Sequence, residues 1–326
     1  MTRRRIAALA LAIALALGGL GVATVHVGRQ RLTAPGPLAQ ARNVVVPHGS
    51  PAVVAVALAQ GGVIGSEREF RVFSLLTRGE GSLHAAELAF PAAASLRQVL
   101  TILRTARPVQ HQLTIPEGLT AAQIALLLER APALSGDAAV PDEGAVLPQS
   151  YAFELGATRA ALLERAEAAM QRTLAKVWAE RSEDLPLASA QELLTLASIV
   201  ERETARPEER PLVAAVFLNR LRHGMKLQSD PTVAYAISGG LDTGDPALTR
   251  ADLEVANPYN TYHVAGLPPG PIGSPGLASL QAVAQPARTD DLYFVADGTG
   301  GHVFARSLDE HNRNVARWRA AIAPSR

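Results

Sequence analysis

The stretch Leu196-Ala197-Ser198-Ile199-Val200-Glu201-Arg202-Glu203-Thr204 sets two carboxylates inside an otherwise apolar helical pattern. Apolar neighbours solvate an ionised carboxylate poorly, so they favour its protonated form and make a general acid that works near neutral pH. Wound at about 100° per residue, Leu193, Leu196, Ala197 and Val200 share one face and Arg202 lies opposite, in solvent. Glu201 and Glu203 fall on the two edges of that stripe. The winding leaves both as candidates, either for proton transfer or for ion pairs on a helix edge.

A second polar set comes next. Asn219 sits in Val216-Phe217-Leu218-Asn219-Arg220-Leu221, and Gln228, Asp230 and Thr232 sit in Leu227-Gln228-Ser229-Asp230-Pro231-Thr232-Val233. The two amides, in apolar surroundings, could orient a sugar by hydrogen bonds. Asp230 before Pro231 reads as a helix N-cap with proline at the first helical position, which does not exclude a role in a site. Asn257, Tyr259, Asn260 and Tyr262 form a polar-aromatic loop of the kind that lines carbohydrate clefts. Alternatively they satisfy the backbone of a proline-rich loop.

Composition narrows the chemistry. The chain has 326 residues, enough for two ordinary domains, and a formal net charge of +1, so no basic field points to a nucleic-acid partner. The absence of cysteine excludes disulfides, thiol nucleophiles and thiolate zinc sites. None of the eight histidines forms an H-x-x-H or HExxH pair, which argues against a zinc hydrolase. Neither metal nor cofactor is expected.

The scaffold that holds these residues begins after an N-terminal apolar run. Arg3, Arg4 and Arg5 precede an uncharged stretch over residues 6–27, and Arg29 and Arg31 come after it. Roughly 20 apolar residues cross a bilayer. The Gly-rich end of the run, Leu17-Gly18-Gly19-Leu20-Gly21-Val22-Ala23, leaves a cleaved signal peptide as the alternative. We read residues 1–28 as a cytoplasmic tip and an uncleaved transmembrane anchor, which implies an extracytoplasmic body in a bacterial-type envelope. Residues 29–41 read as a polar, proline-containing tether.

Beyond it the pattern gives a strand at 43–47 and helices at 50–60, 66–76 and 95–105, with 81–90 unassigned. A strand at 109–115 runs into Pro116-Glu117-Gly118, and Thr120 with Gln123 makes a capping box for the next helix. Residues 131–144 form a linker. Further helices are expected at 159–181, 190–204, 208–223 and 308–319, a rigid proline-glycine loop at 257–276, and a hairpin of 292–296 with 302–305 around Asp297-Gly298-Thr299-Gly300-Gly301. The whole reads as α+β.

Several of these motifs, in this order, resemble the YceG-like family of endolytic murein transglycosylases. They are the Ala197–Thr204 run, the Val216–Leu221 segment, Gly224-Met225-Lys226-Leu227-Gln228-Ser229-Asp230-Pro231-Thr232, Asn257-Pro258-Tyr259-Asn260-Thr261-Tyr262, Gly266-Leu267-Pro268-Pro269-Gly270-Pro271-Ile272 and Tyr293-Phe294-Val295-Ala296-Asp297-Gly298. The resemblance implies a small LysM-like α/β module over 42–135, matched at Ile115-Pro116-Glu117-Gly118-Leu119-Thr120, and a mixed α+β catalytic domain over 145–322. It implies a single-pass protein of the cytoplasmic (inner) membrane, held by residues 6–27, with its catalytic domain in the periplasm. Its partners would be peptidoglycan glycan strands and cell-wall synthesis enzymes.

The resemblance, not the winding, selects Glu201 as the catalytic acid. It implies cleavage of MurNAc–GlcNAc bonds to 1,6-anhydro ends. Residue type and position, not the resemblance, make Asn219, Gln228, Asp230, Thr232, Tyr259, Asn260 and Tyr262 the expected substrate contacts. Leu147-Pro148-Gln149-Ser150-Tyr151 departs from the family pattern, which has an acid and a threonine at the third and fourth positions. The rival readings are a non-catalytic peptidoglycan-binding scaffold and a hydrolytic muramidase with Asp230 or Glu203 as its second acid.

Overall fold

The computed structural model describes residues 3–241 and 248–322, with side chains over 11–241 and 248–321. It is a mixed α+β structure of two compact units, Met1–His111 and Gln112–Arg326.

The first unit opens with helix α1, Arg3–Thr33. Over Leu11–Thr33 it is by length and composition apolar enough to cross a membrane, and none of its most apolar window is buried. The helix runs past residue 28, where the polar tether was expected. Arg29, Gln30, Arg31 and Leu32 are good helix formers, no proline intervenes before Pro35, and Leu32 packs on the core. Strands β1 (Arg42–Val45) and β2 (Glu87–Phe90) pair antiparallel with Val44 opposite Leu88. Helices α2 (Pro51–Gln60), α3 (Glu67–Leu76) and α4 (Leu96–Thr105) close over them, burying Leu58, Phe70, Leu88, Phe90, Val99 and Leu103.

In the second unit, the end of β3 (Gln110–Thr114) runs beside β4 (Ser150–Glu154), where Ile115 N–H donates to Gln149 O at 3.1 Å. Helix α5 (Ala121–Glu129) starts at the expected capping box of Thr120 and Gln123. Ile115, Ile124 and Leu128 pack with Tyr151, Phe153 and Leu162. The border between the units therefore falls inside the 42–135 stretch, and the strand-turn-helix of 110–129 shares its core with β4 and the helix beyond it.

Helices α6 (Arg159–Ala179), α7 (Ala190–Glu203), α8 (Arg210–Arg222), α9 (Asp230–Ser238), α10 (Arg250–Leu253) and α11 (Leu277–Ala284) build the larger core. A hairpin of β5 (Tyr293–Ala296) and β6 (His302–Ala305) and helix α12 (Leu308–Ile322) complete the unit. The expected one-sided apolar stripe of α7 is not what forms. All residues from Leu193 to Val200 are buried, because α6, α8, α9 and α11 surround the helix. Nothing in the sequence pattern marks α11, which is eight residues long and begins directly after the proline-glycine loop. At α9 the cap is Ser229, not Asp230. Ser229 holds extended backbone (φ −98°, ψ 120°), and Asp230 and Pro231 are already helical.

Candidate active site

The last turn of α7 carries Glu201 out of the core into a ring of polar groups. Its side chain is only 4% exposed, yet Arg210, at the start of α8, donates from Nη2 to Oε1 at 2.8 Å. Gly276 N–H donates to Oε2 at 2.9 Å. Gly276 is the N-cap of α11 and has no side chain to cap with, so Glu201 takes the place that an acid or amide three residues into the helix has in a capping box. That third residue is Ser279, which is fully buried; its hydroxyl lies close enough to favour the ionised acid but closes no hydrogen bond among the described residues.

These influences oppose one another. Burial lifts the Glu201 pKa above the ordinary carboxylate value, the Gly276 amide, Ser279 and Arg210 pull it back, and Glu117 pushes it up again. The balance stays on the raised side. A carboxyl poised this way surrenders its proton without the charged form being left unsupported.

The walls are fastened to α7 by residues of the same motif. Ser198 Oγ accepts from Ile272 N–H at 3.0 Å, so Ser198 and Glu201 hold the 272–276 loop at both ends. Ser274 exchanges backbone bonds with Gly118 and Leu119, at 2.8 Å each, which ties that loop to the turn after β3. Gly118 turns the chain at φ +79°, a conformation that favours glycine. A Cβ on Gly276 would collide with the Glu117 carboxylate. Glu117 in turn accepts from Arg210 Nη2 at 3.3 Å, and its side chain is 44% exposed where Glu201 is closed off. A cleft of about 390 Å³, lined by Glu180, Arg210, Gln281 and Gln285 among others, opens against Arg210.

The other expected contacts gather elsewhere. Glu203, the second acid of the motif, accepts from Ser229 Oγ at 2.5 Å. Next to it Tyr262 O–H donates to Asp230 at 2.6 Å, and burial together with that bond raises the Tyr262 pKa. Gln228 is exposed, holds a left-handed backbone (φ +53°) and faces Arg220. Gln228, Asp230 and Tyr262 thus share one surface at the start of α9. Tyr259 stacks at a tilt on Tyr235, 4.9 Å between ring centres.

Three of the expected contacts are buried and occupied. Asn219 donates to the carbonyls of Thr289 and Asp291 at 2.8 and 3.0 Å. Asn260 donates to Leu253 O and Val255 O at 3.0 and 2.8 Å. Thr232 is fully buried against Ser229 O and Thr261 Oγ1.

Sequence reasoning missed Glu117, Arg210, Ser279 and Glu143. The signal for Glu117 was a lone acid in the Pro116-Glu117-Gly118 turn. Glu143 lies in the 131–144 linker and gave none; its carboxylate accepts from Ala121 N–H at 3.0 Å and Tyr235 O–H at 3.1 Å, and burial raises its pKa. No group of three or more His, Asp or Glu that could hold a metal occurs among the described residues.

Two curated relatives carry the same description. The endolytic murein transglycosylase of Streptococcus pneumoniae serotype 2 is 37% identical over 193 residues, 58% of this chain and 34% of that protein. That of Bacillus subtilis is 38% identical over 179 residues, 55% of this chain and 48% of that protein. The chain therefore aligns with between a third and a half of the length of these curated relatives. A crystal structure of a YceG-like protein from Listeria monocytogenes superposes with a TM-score of 0.55 at 28% identity, covering 84% of this chain and 98% of that one. The profile of the YceG-like family matches residues 44–317, and the chain belongs to that family.

Proposed function

We propose that this protein is an endolytic peptidoglycan lytic transglycosylase. It cleaves the MurNAc–GlcNAc bond of nascent glycan strands, leaves 1,6-anhydro-MurNAc ends and so terminates strand elongation. The observation that carries the reading is the setting of Glu201: a buried carboxyl with a raised pKa, held by an amide N–H and a guanidinium.

An ordinary glycosidase divides its work between two carboxylates. Here one suffices. Protonated Glu201 gives its proton to the departing glycosidic oxygen. The resulting carboxylate, supported by Gly276 N–H and Arg210, then takes the proton of the muramic acid 6-hydroxyl as that oxygen attacks the anomeric carbon. No water is consumed. Gln228, Asp230, Tyr259 and Tyr262 contact the sugar rings, while Thr232 and Asn260 fix the segments those residues stand on and Asn219 fastens the 289–291 segment to α8.

In the same reading α1 is a single-pass anchor in the cytoplasmic membrane, the body is periplasmic, and residues 145–322 are the catalytic domain. The strand-then-helix pieces at Arg42–Gln60 and Gln110–Glu129, the first in one unit and the second, from Gln112 on, in the other, are the LysM-like elements of 42–135 that bind glycan in this reading. Cell-wall synthesis enzymes are the expected protein partners.

The test is the full chain in detergent with purified peptidoglycan, the released fragments being weighed. Products lighter by one water than reducing muropeptides, absent with Glu201→Gln, support the reading. Reducing ends would favour a hydrolytic muramidase, for which Glu117, sharing Arg210 with Glu201, is a better-placed second acid than Asp230 or Glu203. Binding without new ends would leave a scaffold.

A further inference from the structure

Helix α3 has two dissimilar faces. Phe70 and Ser74 are buried in the first unit, whereas Val72, Leu75 and Leu76 are 49%, 63% and 72% exposed. Arg68 and Arg71 are exposed beside them, and with Arg78 they edge a groove of about 1020 Å³ between α3 and the start of α2. Three large apolar side chains held in water among arginines are unfavourable for a free surface. The pattern is that of a helix lying in a membrane interface, apolar side chains down and guanidinium groups at the phosphates.

The position of α3 fits. Glu69, Val72 and Leu76 succeed one another at helical spacing on one side. Glu69 accepts from Nη1 of Arg31, in the last turn of α1, at 2.5 Å. The apolar run 6–27 is about 33 Å long at 1.5 Å per residue, against a hydrocarbon core of about 30 Å. Arg31 lies four residues past Val27, about 6 Å further along the axis, which is the depth of the headgroup layer. The ion pair therefore brings the exposed side of α3 to the level of lipid headgroups.

We propose that this face of α3 rests on the anionic surface of the bilayer that α1 crosses, with Val72, Leu75 and Leu76 entering the interface and Arg68, Arg71 and Arg78 pairing with lipid phosphates. The inference rests on the reading of α1 as a membrane span. It makes the first unit a body seated on the membrane rather than one swinging on a tether.

The chain has no cysteine, so a single introduced one reports a single place. Full-length Val72→Cys and, separately, Leu15→Cys are labelled with a polarity-sensitive fluorophore. Each is reconstituted in vesicles of phosphatidylglycerol and phosphatidylcholine that contain nitroxide-bearing lipids. Leu15→Cys should be quenched by a deep nitroxide and Val72→Cys by a shallow one. Arg68→Glu with Arg71→Glu should shift the docked-to-free ratio of Val72 by about tenfold or more, as should vesicles of phosphatidylcholine alone. Leu15 quenched with Val72 left in water would overturn the proposal and keep the anchor. A dry Val72 that no lipid nitroxide quenches would show a protein covering the face, a second copy or another chain, and would also overturn it. If Leu15 is not quenched, α1 does not span and the proposal falls with that reading.

Discussion

Glu201 and Glu209 lie eight residues apart around the turn from α7 into α8, both nearly closed to solvent, and they titrate in opposite directions. For Glu201 burial prevails and the pKa rises. For Glu209 burial pushes the same way but is overcome by His302, through both its ring and its backbone N–H, and by the Thr204 hydroxyl, so the pKa falls. The distances are 2.7 and 2.9 Å to His302 and 3.1 Å to Thr204. A buried carboxylate with a full set of donors is architecture: Glu209 clasps the β5–β6 hairpin to the α7–α8 turn. One whose donors do not offset its burial keeps the option of holding a proton. Burial alone does not mark an acid for chemistry; its balance against the donors does.

The largest expected effect stems from that contrast. Glu201→Gln should lower strand cleavage by about 10²–10⁴-fold or more while leaving the folded spectrum intact. Cleavage at the parental rate would remove the difference in kind between the two acids. Glu209→Gln should do the reverse, costing about 1–3 kcal/mol of stability in a denaturant titration with little change in cleavage per folded molecule.

A smaller effect lies in the pH dependence of those stabilities. The lowered pKa of Glu209 contributes stability that is present above the ordinary value of 4.5 and is lost as pH falls through its folded value. The penalty of Glu209→Gln should therefore fade in acid. The raised pKa of Glu201 works the other way: ionisation costs stability as pH climbs from 4.5 to its folded value. Relative to the parent, Glu201→Gln should gain stability across that window and then level off. Parallel curves for the two variants would contradict the assigned directions. Smallest of all, Ser279→Ala removes a group that favours the ionised acid, so the alkaline limb of the cleavage profile should move up by less than about one pH unit. A limb that stays put while overall activity drops would make Ser279 a packing residue only.

Much of the frame was legible because it depends on neighbours in sequence. The capping box at Thr120, the hairpin around Asp297–Gly301 and the existence of α7 come from turn chemistry and periodicity. The setting that distinguishes the two acids of α7 was not legible. The helix is enclosed on all sides, so the stripe whose edges Glu201 and Glu203 were expected to flank does not exist. Arg210 meets Glu117 across 93 positions and Gly276 meets Glu201 across 75, separations that leave no trace in a local pattern. Asp230 shows the limit from another side. Asp-Pro fits a cap-and-first-turn rule, yet the extended backbone at Ser229 moves the helix start one residue earlier.

The amide of Gly276 donates to the one carboxylate that, in the proposed cycle, changes charge twice per bond broken. While Glu201 holds its proton, the start of α11 hangs from a weak neutral acceptor; once the proton leaves, it hangs from an anion. In that cycle the helix would tighten and slacken in time with turnover. Amide exchange at Gly276 would act as a clock for the chemistry, readable from the backbone without any view of the substrate.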